Sequence, residues 1–123
     1  MTREPYEAGM SVRRAVLGDE HVDRALSTSP PVWQDYVTTA AWGQVWSRPG
    51  LDRRTRSMLT LALLAALRCE EELAMHVRAA LRNGVTPDEI REVLLHTAVY
   101  AGVPAANTAF AVAERALHSE TPS

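Results

Sequence analysis

The amino-acid sequence predicts an all-α fold. Apolar side chains recur every three or four residues along successive segments, which is the period of a helix. No segment alternates apolar and polar residues over a useful length, as a half-buried strand would. Residues that end helices separate the segments, among them the double proline Pro30–Pro31 and the glycines Gly18, Gly84 and Gly102. The pattern indicates a compact bundle of short helices.

Size and composition predict one soluble domain. The chain has 123 residues, of which 46% are apolar and 23% charged, as in ordinary globular proteins. We expect a single domain over residues 1–123, in which residues 1–29 form an N-terminal helical arm and residues 30–118 the helical body. Two prolines in a row cannot continue a helix, so they mark the junction between arm and body.

Charge and cysteine content exclude several classes of partner. The formal charge of −2 gives no reason to expect a nucleic acid or an anionic membrane. The longest apolar run is about ten residues, whereas a spanning helix needs about 20. Cys69 is the only cysteine, so no disulfide forms within the chain. We therefore expect a cytoplasmic protein.

The helices are predicted from their caps and their apolar stripes. The clearest start is the capping box of Thr86 and Glu89, with Pro87 at the first helical position. Asp19 and Asp52 are expected to cap two other helices. In chain order the predicted helices are Tyr6–Gly18, Asp19–Leu26, Val32–Trp46, Asp52–Arg68, Cys69–Gly84, Pro87–Gly102 and Ala105–His118, the last with an alanine-rich face of Ala105, Ala109, Ala113 and Ala116.

Two consecutive helices between Leu51 and Gly84 are the predicted centre of the fold. The first is apolar on nearly every face from Met58 to Leu67, so we expect it to be buried on most sides. The second is amphipathic, and the stripe predicted to pack inward is Leu73, Val77, Ala80 and Leu81.

Two histidines are candidates for chemistry because a glutamate precedes each by four residues. Glu72 and His76 share a helix face with Cys69, beside the buried stripe. A carboxylate at this spacing can orient an imidazole and raise its basicity. Glu92 and His96 repeat the spacing on the next long helix, with Tyr100 on the same strip. Such pairs also occur as ordinary helix-surface pairs, so the pattern alone leaves both interpretations open.

The arginines and tryptophans each allow two interpretations. Arg13 and Arg14 are either a salt-bridged surface pair or an anion site. Arg53, Arg54 and Arg56 lie in the first turn of a helix, where cations oppose the helix dipole, so carboxylates of the protein or of a ligand are expected nearby. Trp33, Trp42 and Trp46 either pack in the core or an interface, or line a pocket for a flat ring.

Several reaction types are excluded or disfavoured. All 13 basic residues are arginine, which excludes a Schiff base or a lysine base. Glu72, His76, Glu92 and His96 are possible metal ligands, but the Glu-x-x-His motifs and additional glutamates of di-iron bundles are not found, so we predict no metal. Glu72 stands where a Cys-x-x-Cys partner of Cys69 would be, so intrachain dithiol chemistry is excluded.

Three stretches of the sequence resemble the carboxymuconolactone decarboxylase family, a branch of the superfamily that includes alkylhydroperoxidase D-like proteins. They are YEAGMSVRRAVLGDEHVDRA, AWGQVWSRPGLDRRTRSMLTLAL and ELAMHVRAALRNGVTPDEIREVLLHTAVYAGVPAANTAF. The resemblance covers residues 6–118. In the peroxidase branch the active helix carries Cys-x-x-Cys-x-x-x-His; Cys69 and His76 match its outer positions, but Glu72 replaces the second cysteine. This difference favours the decarboxylase branch.

The resemblance implies an alkylhydroperoxidase D-like helical bundle and cofactor-free decarboxylation of 4-carboxymuconolactone in the β-ketoadipate pathway. It implies His76, oriented by Glu72, as the proton donor or as the partner of the developing oxyanion. It also implies arginines on the substrate carboxylates, with Arg13, Arg14 and Arg56 as candidates. The remaining candidates are Trp42 and Trp46 as an apolar wall, and His96 and Tyr100 as further pocket residues. Relatives of this type are oligomeric rings, so we expect a homohexamer built as a trimer of dimers.

Two other functions remain open at this stage. One is a divergent alkylhydroperoxidase D-like redox protein that uses Cys69 with an external thiol. The other is a non-catalytic helical assembly that binds small acids.

Overall fold

A computed structural model describes residues 4–119 of the chain. No strand occurs between these residues, which confirms the all-α prediction. A π-helix lies between α3 and α4. The elements are α1 (Glu4–Leu17), α2 (Asp19–Thr28), α3 (Pro31–Val37), the π-helix (Thr38–Trp46), α4 (Arg53–Ala66), α5 (Glu70–Arg82), α6 (Pro87–Ala101) and α7 (Val103–Ser119). No helix in this range is long and apolar enough to cross a bilayer.

The chain divides into two compact units. Unit 1 ends at Arg53 and unit 2 begins at Arg54. The predicted junction between arm and body, residues 29/30, falls inside unit 1, so α3 and the π-helix group with the N-terminal helices.

Unit 1 is built on close packing of α1 against the π-helix. Two glycines permit the approach: a Cβ on Gly9 would collide with the carbonyl oxygen of Thr38, and a Cβ on Gly43 with that of Pro5. Because glycine lacks a Cβ, the two backbones come together where any other residue would hold them apart. The buried apolar side chains of unit 1 are Val16, Leu17, Val22 and Trp42.

The helix predicted over Val32–Trp46 is α-helical only as far as Val37. From Thr38 the chain continues as a π-helix, which the sequence pattern does not indicate. π-Helical segments are rare and occur frequently at functional sites. In this segment Trp42 is buried and its ring lies 4.9 Å from that of the half-buried Trp46. Trp33, in α3, is exposed and stacks on Tyr36.

Unit 2 encloses an aliphatic core. The stripe of α5 is buried at Leu73, Val77 and Ala80, as predicted, whereas Leu81 is only half-buried. α7 packs against both α5 and α6 through its predicted alanine face. The cluster comprises Leu61, Ala65, Leu73, Val77, Ala80, Val85, Ile90, Leu94, Ala109, Val112, Ala113, Ala116 and Leu117.

The prediction that α4 is buried on most sides is wrong for this chain. Its buried residues are Ser57, Leu61 and Ala65, which are spaced by four and form one narrow stripe. Leu59 and Leu63, between the stripe positions, are 50% and 61% exposed. The apolar sequence of α4 therefore supplies two faces, one packed in the core and one open.

The structure confirms the predicted N-cap of α6 and corrects the predicted N-cap of α2. The Thr86 hydroxyl accepts from the Glu89 amide and the Glu89 carboxylate accepts from the Thr86 amide, so the predicted capping box is confirmed. The N-cap of α2, in contrast, is Gly18 and not Asp19. Gly18 has a φ of 91°, a conformation that favours glycine, and it joins α1 directly to α2. Asp19 instead pairs with Arg14.

Candidate functional site

His76 lies on α5, beside the buried stripe of unit 2. It is half-buried, between the buried Leu73 and Ala80 along the helix. Glu72, one turn before His76, is exposed. The imidazole is thus partly shielded from solvent, and the orienting role of Glu72 stays a prediction.

The two adjacent arginines of α1 have opposite environments. Arg14 is bound by two carboxylates, with its Nη1 3.1 Å from Asp19 Oδ1 and its Nη2 2.8 Å from Asp23 Oδ1. The hydrogen bonds that Arg14 donates to Asp23 and to Asp19 raise the pKa of its guanidinium. The surface-pair interpretation therefore describes Arg14.

Arg13 is buried and keeps only 4% of its surface exposed. Its Nη1 donates to Thr38 Oγ1 at 3.0 Å. Burial removes water from the cation, and this desolvation lowers the pKa of Arg13. Within residues 4–119 no carboxylate forms a salt bridge with Arg13. An arginine in this environment favours the anion-site interpretation.

The arginines at the start of α4 differ in exposure and in their known partners. Arg54 forms an ion pair with Glu89 of α6, so the carboxylate expected near this helix terminus is a protein side chain in its case. Arg53 is exposed and Arg56 is half-buried. The backbone carbonyl oxygen of Arg56 accepts a 2.8 Å hydrogen bond from the hydroxyl of Thr60, one turn later in the helix.

A groove between α4 and α6 holds the second histidine pair. It has a volume of about 490 Å³ and a largely apolar wall. Glu92 and His96 both line it, so the structure brings this predicted pair to one cavity. The His96 ring lies 5.2 Å from that of Tyr100, which is 81% exposed. The lining residues are Thr55, Met58, Leu59, Ala62, Glu89, Glu92, Val93 and His96.

Cys69 occupies the N-cap position of α5 and is half-buried. Its Sγ is 3.9 Å from the carbonyl oxygen of Leu67. Across the described residues, His, Cys, Asp and Glu side chains form no group of three or more that could hold a metal ion.

A family model, described as the carboxymuconolactone decarboxylase family, matches residues 31–115. The chain belongs to the carboxymuconolactone decarboxylase family. The matched range includes α3, the π-helix and the whole of α4 to α6, and thus Trp42 and His76. Arg13 and Arg14 lie before it.

Individual family members extend the similarity. The chain is 51% identical over 112 residues to a 4-carboxymuconolactone decarboxylase of Acinetobacter baylyi, covering 89% of this chain and 84% of that protein. It is 44% identical over 119 residues to a nitrosuccinic acid decarboxylase of Metarhizium robertsii, covering 94% and 83%. A 4-carboxymuconolactone decarboxylase of Pseudomonas putida is 71% identical over 24 residues, which is 20% of this chain and 50% of that sequence.

Two buried polar residues of this family member are missed by the sequence analysis. Gln34 and Thr38 are 7% and 0% exposed, and they lie beside no motif of known chemistry. A signal exists: Gln34, Thr38 and Trp42 are spaced by four and so share one helix face. The same spacing joins Gly9 to Arg13 on α1, where both residues are buried.

Proposed function

We propose that this protein catalyses the decarboxylation of 4-carboxymuconolactone to the enol-lactone of 3-oxoadipate in the β-ketoadipate pathway. The observation that carries the proposal is the family match over residues 31–115 together with 51% identity to a relative of that name. That similarity spans 89% of this chain.

The reaction needs no electron sink outside its substrate. The bond between the ring carbon and the leaving carboxylate breaks, carbon dioxide departs, and the electron pair moves through the conjugated double bond to the carbonyl oxygen of the lactone, which gives a dienolate. A proton then adds to a ring carbon and regenerates the carbonyl. The protein has to bind the retained acetate arm, stabilise the developing oxyanion and supply the proton. We propose that it does so without a cofactor.

We assign the proton transfer to His76, with Glu72 as its orienting carboxylate. A half-buried imidazole is suited to this role because it changes charge near neutral pH. Trp42 and Trp46 are the proposed apolar wall beside the departing group. His96 and Tyr100 remain secondary candidates for substrate binding.

We assign binding of the acetate carboxylate to Arg13, whose buried guanidinium has the planar fork that fits a carboxylate. A firm grip on the leaving carboxylate would stabilise the ground state and slow the reaction, so the arginine belongs on the retained arm. Arg56 is a second candidate. Arg14 is a weaker one, since Asp19 and Asp23 already bind it.

The test is turnover of 4-carboxymuconolactone by chelator-treated protein, followed by ultraviolet absorbance and by release of carbon dioxide. We expect one carbon dioxide per enol-lactone, and a loss of at least about a hundredfold in His76→Ala, the usual scale for a general acid. His118→Ala, an exposed histidine on α7, is the matched control and keeps full activity. Full activity in Cys69→Ser separates this function from thiol redox chemistry.

A second substrate is favoured by the 44% identity to the nitrosuccinic acid decarboxylase. Nitrosuccinate and 4-carboxymuconolactone share one arrangement: a carbon that bears the leaving carboxylate, a CH2–carboxylate arm and an electron-withdrawing group. In nitrosuccinate the nitro group takes up the electron pair as a nitronate, and protonation at carbon gives 3-nitropropanoate. The two substrates are compared by kcat/KM in one preparation, and we expect the lactone to be preferred. A higher kcat/KM for nitrosuccinate would make nitrosuccinate the main substrate and the lactone the second one.

We also propose that the protein works in the cytoplasm as a homohexamer, a trimer of dimers. Support comes from the large apolar side chains that unit 2 leaves exposed, including Leu63, Leu95 and Val99 at 61%, 57% and 76%. Light scattering should give a mass six times that of one chain. A single peak at the mass of one chain would contradict the assembly.

A further inference from the structure

Unit 1 contains a cluster of three buried polar side chains, Arg13, Gln34 and Thr38, here called the Arg13 cluster. Their exposed fractions are 4%, 7% and 0%. Gln34 precedes Thr38 by four residues, so the two side chains lie on one face about one turn apart. Arg13 joins this face from α1 through its 3.0 Å hydrogen bond to the Thr38 hydroxyl.

The hydrogen bonds of the Arg13 cluster are incomplete. Arg13 Nε and Gln34 Oε1 are buried, and neither has a hydrogen-bond partner within residues 4–119. A buried donor or acceptor without a partner is costly, and the large majority of such groups in native proteins are satisfied. The cluster thus holds one orphaned donor and one orphaned acceptor.

The charge of the Arg13 cluster is also incomplete. The residues whose charges act on Arg13 are Tyr6 and Arg14, and Arg14 is itself held by Asp19 and Asp23. Buried cations in proteins are normally paired, because removing a charge from water costs several kcal/mol. None of the salt bridges among residues 4–119 pairs Arg13 with a carboxylate, so the Arg13 cluster is suited to an anionic ligand.

We propose that the Arg13 cluster is a carboxylate subsite that binds the retained CH2–carboxylate arm of the substrate, with Gln34 as its specificity-determining residue. This inference rests on the proposed function for the identity of the arm. Arg13 donates from Nε and Nη2 to the two carboxylate oxygens, as its planar fork allows. Thr38 holds Nη1 and so fixes the plane of the guanidinium.

In the proposed subsite Gln34 controls access to the guanidinium. Arg13 and Gln34 keep only 4% and 7% of their surfaces exposed, so a ligand can enter only if a side chain moves, and we assign this movement to Gln34. After this rotation the Gln34 amide N–H can donate to a carboxylate oxygen of the ligand. Binding therefore replaces a buried Gln34 Oε1 that has no partner with a hydrogen bond to the charged carboxylate. An uncharged amide in place of the carboxylate would leave the arginine unneutralised, and the subsite rejects it.

The test replaces Gln34 with a residue that carries its own carboxylate. In Gln34→Glu the new side chain is nearly the same size and occupies the subsite as an internal anion. Calorimetry is done with succinate, which offers a CH2–carboxylate, and with succinamide, its uncharged analogue. The wild-type protein should bind succinate and not succinamide. The variant should bind succinate at least about tenfold more weakly, the scale of one hydrogen bond to a charge.

Kinetics give the second readout. Gln34→Glu should raise KM for 4-carboxymuconolactone about tenfold or more, with kcat within about threefold, because a retained-arm contact is equally strong in ground and transition states. The matched control is Gln44→Glu, the same substitution at an exposed position of the π-helix, which should change neither value. Should Gln34→Glu not fold, Gln34→Met keeps the volume without a charge and should show the same rise in KM.

The outcomes separate the subsite from the reaction. Succinate binding that Gln34→Glu weakens, in a protein that does not turn over the lactone, would support the subsite and overturn the proposed function. Lactone turnover with unchanged KM and unchanged succinate affinity in a folded Gln34 variant would overturn the subsite and leave the proposed function intact.

Discussion

The two units bury different kinds of residue. Unit 2 buries aliphatic side chains and alanines, with Ser57 and Thr97 as its buried polar residues among those described. Both are satisfied locally: Ser57 accepts from Asn83 Nδ2 at 3.0 Å, and Thr97 donates to the carbonyl oxygen of Val93. Unit 1 buries a charged arginine and an amide whose hydrogen bonds are incomplete.

The buried residues of the two units make different contributions to stability. Burial of apolar surface stabilises a fold by about 25 cal/mol per Å², and the core of unit 2 consists of such surface. A buried cation without a carboxylate works against stability, so its presence in unit 1 calls for a function. The proton donor assigned to unit 2, His76, is set at the edge of the stable core.

Packing geometry separates the units as well. In unit 1 two glycines allow backbone to touch backbone between α1 and the π-helix. In unit 2 the small side chains of the α7 alanines also allow helices to pack closely. Each alanine still has a methyl group, so the backbones do not touch as they do at the glycines of unit 1. Unit 1 therefore tolerates added volume less well, and unit 2 tolerates removed volume less well.

The largest stability effect is expected from Leu94→Ala in the core of unit 2. Leu94 is fully buried, so the substitution removes apolar contacts, leaves a cavity and should cost about 2–5 kcal/mol. Its neighbour Leu95 is 57% exposed, and Leu95→Ala is the matched control. The measurement is urea unfolding below the concentration at which chains associate. Equal losses of unfolding free energy in the two variants would contradict the assignment of one buried and one open face to α6.

A smaller effect is expected from Gly43→Ala in unit 1. The added methyl group meets the carbonyl oxygen of Pro5, so α1 has to move away from the π-helix, at a cost of about 1–3 kcal/mol. Gly50→Ala is the control, because nothing lies within 4 Å of its added Cβ. Thermal unfolding compares them. A Gly43→Ala protein as stable as the wild type would show that the close approach is dispensable.

The smallest effect is expected from the ion pair between α6 and α7. Arg91 binds Glu114 through both oxygens, at 2.7 and 3.0 Å, and this lowers the pKa of the Glu114 carboxyl. A lowered carboxyl pKa stabilises the fold above the ordinary value for glutamate, and the contribution is lost as pH falls through the lowered pKa. Both side chains are more than a third exposed, so the effect is small.

Urea unfolding of Glu114→Gln against wild type tests this pair. The difference in stability should be present at neutral pH and disappear in acid. Glu20→Gln, which removes a more exposed pairing with Arg24 in unit 1, should show a smaller difference at every pH. A Glu114→Gln difference that grows on acidification would contradict the assignment.

Much of the fold follows from local sequence signals. The capping box at Thr86 and the glycine stop at Gly102 fix the ends of α6 because both depend on neighbouring residues alone. The exposure of one face of α4 does not follow, since periodicity shows that a helix is apolar but not which partner covers it. The π-helix is also missed, and so is the close approach of Gly9 and Gly43 to distant backbone, because apolar periodicity reports neither.

The candidate site is predictable to a lesser degree. The sequence analysis singles out Arg13 and Arg14 together, whereas in the structure one guanidinium is buried and the other is salt-bridged. Spacing by four does place Arg13 in the stripe of Gly9 and Leu17, and that signal distinguishes it from Arg14. Gln34 carries no sequence signal of chemistry, because a glutamine acquires a role only through burial beside a charge.

The most direct test is to measure kcat and KM for 4-carboxymuconolactone in His76→Ala and Arg13→Gln side by side. The account predicts that His76→Ala lowers kcat at least about a hundredfold with little change in KM, because the proton is transferred only in the transition state. It predicts that Arg13→Gln raises KM about tenfold or more while kcat stays within about threefold. Near-normal kcat in His76→Ala, or an unchanged KM in Arg13→Gln, would contradict the roles proposed for these two residues.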